Sequence, residues 1–375
     1  MAFYYGLVIY YLFGFFFLKK NVSKRTKRRY VFWALLPAFL LVAFRSVSVG
    51  NDTYTYYYAF EKYRARGDFE DIMSASLREP GFLLLNYMCI KLGRSYTFMQ
   101  VLISAFTYFS LYRFISRYSE DTWLSCLLFL LNRHMFGTMN AVRMWLAIAI
   151  VLFAVPYVIE RKIVPVIIIT LIAMQFHFTA IVFFPVYFLA DIKWNSKRIW
   201  ISVAITCVIS LLHRPFSTLI SRIINRYSNY LEGKYFDSGG AATYVNLVMQ
   251  VCFFMFVFIE YKKWQRYHDI YKVEGKRELH RDRYEGYLFS SILVILLFGI
   301  FGLSNTIMSR ISAYYLPSTY LSIPYSLLSS NAKNRKVLSI LIVTFLLLNF
   351  VVVMKYRPGW YGVSKYSFFW ESSYR

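Results

Sequence analysis

The chain has 375 residues, 58% of them hydrophobic and 21% aromatic, and a formal net charge of +24 at pH 7. The apolar residues come in continuous blocks of about 14 to 20, close to what a helix needs to cross a bilayer, and a β-barrel, whose strands alternate apolar and polar positions, is excluded. The basic residues cluster between these blocks, which marks loop topology in a membrane protein and argues against a nucleic-acid surface. No polar stretch is long enough for a separate soluble domain, so residues 1–375 read as one membrane-embedded, all-α, polytopic domain.

In chain order, the run 2–18 has no basic segment before it and no small-residue cleavage site after it, and reads as a retained span. A second run, 30–44, ends on Arg45-Ser46-Val47-Ser48-Val49-Gly50-Asn51-Asp52-Thr53. A fixed cation and a carboxylate at a span end are costly to hold there and point to function. Gly50-Asn51-Asp52 adds turn chemistry, and Asp52 is also placed to cap a helix beginning at Thr53. The predicted outer loop 45–95 carries Tyr54, Tyr56, Tyr57, Tyr58 and Tyr63, which suit a membrane belt or stacking against a sugar. Within it, the apolar piece 81–93 ends on Lys91 and Arg94 and is too short to span; it reads as an interfacial or re-entrant helix.

Further spans are predicted over 96–112, 122–138, 141–159, 163–176, 178–190, 199–213, 243–261, 286–303, 311–328 and 337–354, giving about twelve in all. The stretch 163–190 is divided at Gln175-Phe176-His177 because it is long for one span even with tilt. With these spans the basic clusters at 19–29, 113–117, 161–162, 193–198, 262–283 and 333–336 all fall on the cytoplasmic side. That side includes a basic loop over 262–285, suited to anionic lipids, while a second outer loop covers 214–242. Cys89, Cys126, Cys207 and Cys252 lie in or beside apolar runs without paired spacing and read as small core residues.

The predicted outer face gathers Arg45, Asp52, Glu79, Arg143, His177 and Arg310 at span ends. Guanidinium groups match phosphate oxygens as planar forks, so Arg45, Arg143 and Arg310 together suit a pyrophosphate. Asp52 and His177 are the groups able to take a proton from a hydroxyl. Arg143 follows Asn140, a candidate N-cap, so its side chain and the helix N-terminus can act together on an anion. Each residue also has a plainer reading: a snorkelling anchor for an arginine, a cap for Asp52, a satisfied polar group in a helix hairpin for His177. Arg133-His134, in the outer half of a span, take a secondary role at most. No GxxxxGK[ST], HExxH, GxSxG or paired-cysteine metal motif occurs.

The pattern of Arg45 to Thr53 (R-x4-G-x-D-T), Glu79-Pro80-Gly81-Phe82, Asn140 to Ala147 (N-x2-R-x3-A), Phe176-His177-Phe178-Thr179-Ala180 and Arg310-Ile311-Ser312-Ala313-Tyr314 before Pro317 and Pro324 resembles the EpsG-like branch of the Wzy-type polysaccharide polymerases. Met144 and Thr179 depart from that pattern, where Gln and Ser or Ala are commoner. The resemblance implies an all-helical glycosyltransferase of the GT-C kind in the bacterial cytoplasmic membrane, with a multi-pass chain and an outward-facing active site. It implies transfer of a growing glycan from polyprenyl pyrophosphate onto a lipid-linked oligosaccharide repeat, as in O-antigen, capsule or exopolysaccharide synthesis. Membrane lipids, a flippase and chain-length regulators are the implied partners.

On that reading Arg45, Arg143 and Arg310 bind pyrophosphate and stabilise the leaving group, and His177 or Asp52 is the general base. An unperturbed imidazole pKa near 6.5 favours His177, with Asp52 orienting it, and Glu79 is a candidate sugar ligand. No cofactor or metal is implied, since the arginines supply positive charge. The rival readings are a lipid-linked oligosaccharide flippase, which predicts internal repeats and mid-span charges, and a membrane acyltransferase, which predicts an early-span histidine; no histidine precedes His134.

Overall fold

The computed structural model describes residues 1–17, 23–74, 79–212, 240–271 and 276–371. Among them the secondary structure is helical, and the only strand-like pairing is an isolated antiparallel bridge between Arg45 and Phe368. The helices are α1 Ala2–Phe13, α2 Lys24–Ala43, α3 Thr53–Arg66, α4 Phe69–Met73, α5 Pro80–Lys91, α6 Tyr96–Tyr118, α7 Thr122–Leu131, α8 His134–Asn140 and α9 Val142–Val151. They continue with α10 Val155–Ile159, α11 Ile163–Met174, α12 Val186–Leu189, α13 Ser196–Leu211, α14 Ala241–Tyr271, α15 Lys276–Phe301, α16 Thr306–Ile311, α17 Thr319–Ser329 and α18 Ala332–Tyr356.

The starts of several helices follow from local chemistry. The Ser23 and Ser95 hydroxyls, the Asp121 carboxylate and the Asn195 and Asn331 amides each accept from the backbone N–H three residues on, meeting one donor that the helix itself leaves unpaired. Pro80 opens α5 at the one place where its missing N–H is no loss. Gly67, at φ +78°, ends α3 in a conformation that side chains rarely adopt.

Four helices are long and apolar enough among the described residues to cross a membrane: Tyr96–Tyr118, Thr243–Arg266, His280–Phe301 and Lys333–Tyr356. A fifth follows if α8 and α9, bent by 118° at their junction, are one broken span. That is fewer than the twelve spans predicted, and two of the predicted runs are interrupted or shortened. Arg133 at φ 63° interrupts the run 122–138 between α7 and α8, and α11 stops at Met174, before the Gln175-Phe176-His177 division. The chain is nonetheless an all-α membrane protein by its apolar helices. The predicted outer loop 214–242 lies outside the described residues as far as 239, as do 18–22, in and beside the first basic cluster. The basic segment 262–285 is helical on both sides of 272–275, which are also outside them. Its Lys, Arg, Gln and Glu residues are good helix formers, and Glu285 accepts from Arg281 one turn away at 3.0 Å.

The chain folds as two compact units, 1–155 with 164–181 and 330–375, and 156–163 with 182–329. In the first, α2 packs along α6, and α6 along α9. Small side chains make the approach close: Ala34 and Ala38 of α2 are buried, as are Ser104, Thr107 and Ser110 of α6. Those three hydroxyls return hydrogen bonds to carbonyls one turn back at 2.7–2.9 Å, so none of the three is stranded in the apolar contact. In the second unit α15 packs against α13, α14 and α17. Phe289 of α15 stacks on Tyr261 of α14 at 4.0 Å, and Ser290 ties Trp194 Nε1 to the Leu189 carbonyl. Cys89 and Cys126 are core residues, whereas Cys207 and Cys252, also predicted inside, are exposed on the apolar outer faces of α13 and α14 beside Val208 and Val251.

Candidate active site

The site lies in the first unit and begins with two segments that touch backbone to backbone. Gly81, in the first turn of α5, rests on the chain leaving α11: a Cβ there would come within 2.7 Å of Gln175 Cβ and 3.1 Å of its carbonyl oxygen. The Phe82 N–H donates to that carbonyl at 3.2 Å. Glycine is the residue that permits the approach, and the approach carries Glu79, just before the helix, to the turn that holds His177.

Glu79 uses both oxygens. Oε1 accepts from His177 Nδ1 at 2.7 Å and from the Phe178 N–H at 3.4 Å, and Oε2 pairs with Arg143 Nη1. The carboxylate thus draws together α5, the α11 exit and the first turn of α9, contributed by residues 64 and 98 positions apart in sequence. Burial pushes its pKa up, but the His177 hydrogen bond and the Arg143 charge outweigh burial and hold the group below the usual carboxylate range. The Arg143 guanidinium lies over the Tyr56 ring at 5.5 Å and the Phe82 ring at 5.7 Å, which sets its plane by cation–π contact. Side-chain exposure is graded: 11% for Glu79, 26% for His177 and 37% for Arg143. The carboxylate is the inner group, and the imidazole and guanidinium are partly exposed.

With Nδ1–H given to Glu79, the neutral ring carries its lone pair on Nε2, which has no partner among the described residues. The arrangement can therefore accept a proton at one point and hold an anion at another.

The other predicted site residues fall elsewhere. Arg45 was expected to bind pyrophosphate on an outer face; instead it is 1% exposed, donating to the Val42 carbonyl and to the Met139 carbonyl at 2.9 Å. Its side chain is packed among residues of α2, α3, α6, α8 and α9, while the 357–371 segment pairs with the chain just after it: Ser46 N–H donates to Ser367 O, Gly50 N–H to Gly362 O, and Asn51 Nδ2 to Trp360 O, each at 2.9 Å. Asp52 occupies the N-cap position of α3, but its carboxylate makes no cap bond; it is exposed, one turn before Tyr56. The carboxylate that orients His177 is Glu79 and not Asp52, and Glu79 is committed to protein partners rather than left open as a sugar ligand. Asn140 ends α8, and its side-chain oxygen accepts from Asn51 N–H at 2.5 Å instead of capping α9. Arg133 is buried against Tyr361 and Asn349. Arg310 is exposed at the end of α16, in the second unit.

Sequence reasoning missed Tyr56 and Phe82 as the frame of Arg143. Tyr56 sat among five tyrosines with no signal to separate it, while Phe82 was visible only as the last residue of Glu79-Pro80-Gly81-Phe82.

No curated protein and no solved structure matches the chain. The model of the EpsG family matches residues 28–368, a stretch that contains Glu79, Arg143 and His177. With nearly the whole length matched, the chain belongs to the EpsG family.

Proposed function

We propose that this protein is a polysaccharide polymerase, a multi-pass glycosyltransferase of the cytoplasmic membrane that works at the outer face on polyprenyl-pyrophosphate-linked oligosaccharides. The observation that carries the reading is Glu79 bridging a partly exposed arginine and a partly exposed histidine. In the proposed reaction His177 Nε2 takes the proton of an acceptor sugar hydroxyl. The acceptor oxygen then bonds the anomeric carbon of the growing glycan, while the bond from that carbon to pyrophosphate breaks and its electron pair leaves with the lipid pyrophosphate. Arg143 meets the charge that develops on the leaving group, and Glu79 steadies the imidazolium that forms. Asp52 remains a candidate sugar ligand.

Membership in the EpsG family supports this class. Support for the topology comes from the second unit, where Arg161 and Arg283, from two clusters assigned to the cytoplasm, share Asp191 at 3.7 and 2.7 Å, just before a further such cluster at 193–198. The test is the lipid-linked intermediate in cells lacking the gene. Single repeat units accumulating outside the membrane support the polymerase. Accumulation inside would indicate a flippase, and a full-length polymer lacking only acyl groups would indicate an acyltransferase.

A further inference from the structure

Arg45 is a fully buried guanidinium with no carboxylate beside it, a costly arrangement unless every donor is met by a dipole. Nη1 and Nη2 are met by the Val42 and Met139 carbonyls. Nε is buried and has no partner among the described residues. Two further buried groups stand in the same condition, Gln100 Oε1 and Tyr108 Oη. Tyr108 Oη lies beside Thr138, whose hydroxyl proton is given to the Met135 carbonyl at 2.6 Å, so Thr138 can accept from the phenol but has no proton to give its oxygen.

All three residues line one cavity of about 10 Å³, bordered by residues of α2, α3, α5, α6, α8 and α9. That volume is close to the least that holds a single water, roughly 10–15 Å³, and a buried water typically makes about three hydrogen bonds.

We propose that this cavity binds one water molecule, which accepts from Arg45 Nε, donates to Gln100 Oε1 and completes its bonding with Tyr108 Oη.

The chemistry separates water from the other small occupant that a buried cation invites, a halide ion. The Gln100 amide is fixed in orientation, because its Nε2 donates to the Ala43 carbonyl at 2.9 Å and the Arg45 carbonyl at 3.0 Å. A flip would set its oxygen against both carbonyls, so Oε1 must present a lone pair to the cavity. An anion has no proton for it and is repelled; a water supplies one and still accepts from Arg45. The three unmet groups are a donor, an acceptor and a hydroxyl able to be either, which is the complement of water.

The site also explains why an arginine stands here. Its guanidinium joins the end of α2 to the Met139 carbonyl, at the end of α8 and just before the bend from which α9 carries Arg143. The bound water links that joint to α6 through Gln100. Arg45 is on this account a positioning residue, separate from the groups that meet substrate.

The test is a density map of the full-length protein at a resolution that shows ordered water elsewhere in the core, with crystals also grown in bromide and read by anomalous scattering. The expected result is one peak within hydrogen-bond reach of Arg45 Nε and Gln100 Oε1, without anomalous signal, which disappears in Gln100→Met, where the thioether fills the space. A bromide peak at that position would overturn the proposal in favour of an anion site. An empty cavity, or one closed by side-chain rearrangement, in a map that shows other buried waters would overturn it as well.

Discussion

Glu79 Oε1 and His177 Nδ1 meet at 2.7 Å although they are 98 residues apart, and this contact settles which nitrogen of the imidazole is free to act. His177→Ala is expected to lower polymerisation by about 10²- to 10⁴-fold, the usual worth of a positioned general base, while lipid-linked substrate still binds. Turnover and binding measured separately on purified protein check this; unaltered turnover would move the proton-accepting role to Asp52.

Glu79→Gln keeps the shape of the side chain and removes its charge. An amide offers His177 and Arg143 a weaker acceptor, so both lose their fixed orientation. Turnover is expected to fall by about 10²-fold, the scale of a misplacement near 1 Å, with membrane insertion unchanged. Asp52→Asn, at an exposed residue without a bond from its carboxylate, is expected to cost far less. Equal losses from the two substitutions would contradict the assignment of Glu79 as the orienting carboxylate.

The pH dependence of stability follows from the depressed pKa of Glu79. A carboxyl held below its ordinary value of 4.5 contributes stability that is fully present above that value and is lost as pH falls through the lower folded value. The thermal midpoint in detergent is expected to be insensitive to this group above about pH 5.5 and to drop below about pH 4.5. In Glu79→Gln that acid-limb contribution disappears, and identical acid limbs for the two proteins would refute the linkage.

Gly81→Ala introduces a Cβ that would meet Gln175 at 2.7 Å. Overpacking of this kind costs about 1–3 kcal/mol, and here relief means parting α5 from the α11 exit. The expected signature is reduced polymerisation with normal abundance in the membrane. A wild-type product ladder would show that the two segments can separate without disturbing Glu79.

Arg45 and Arg143 are expected to behave oppositely. Arg45→Ala takes a buried charged donor from the Val42 carbonyl and from the Met139 carbonyl, which keeps only the Thr53 hydroxyl at 3.3 Å, and should destabilise by about 2–4 kcal/mol, lowering abundance. Arg143→Ala removes a side chain 37% exposed and should leave abundance near normal while abolishing elongation. Unfolding midpoints and membrane levels of the two variants, compared side by side, decide the matter.

That contrast also shows how far the sequence could be read. Arg45, Arg143 and His177 all looked alike as ionisable residues at the ends of apolar runs, and for Arg143 and His177 the position was informative, because short helices stop or start there. Arg45 gave no local sign of its burial, because the groups around it, such as Gln100, Tyr108 and the Met139 carbonyl, come from α6 and α8 and leave no pattern beside it in sequence. Glu79 was legible as a candidate but not as a bridge, since its partners come from α9 and the α11 exit and only the fold brings them to one carboxylate. The break at Arg133 inside the run 122–138 was not legible either, because hydropathy counts apolar residues and is blind to the backbone.

The central claim, that Glu79, Arg143 and His177 form a glycosyl-transfer site, is tested most directly by polymerisation in vitro, with purified protein and a defined polyprenyl-pyrophosphate-linked repeat. Wild-type protein should give a ladder of lengthening lipid-linked glycans and release polyprenyl pyrophosphate, with both lost in Arg143→Ala and His177→Ala. A ladder of wild-type intensity from either variant, or no polymer and no pyrophosphate release from wild-type protein that demonstrably binds the substrate, would contradict it.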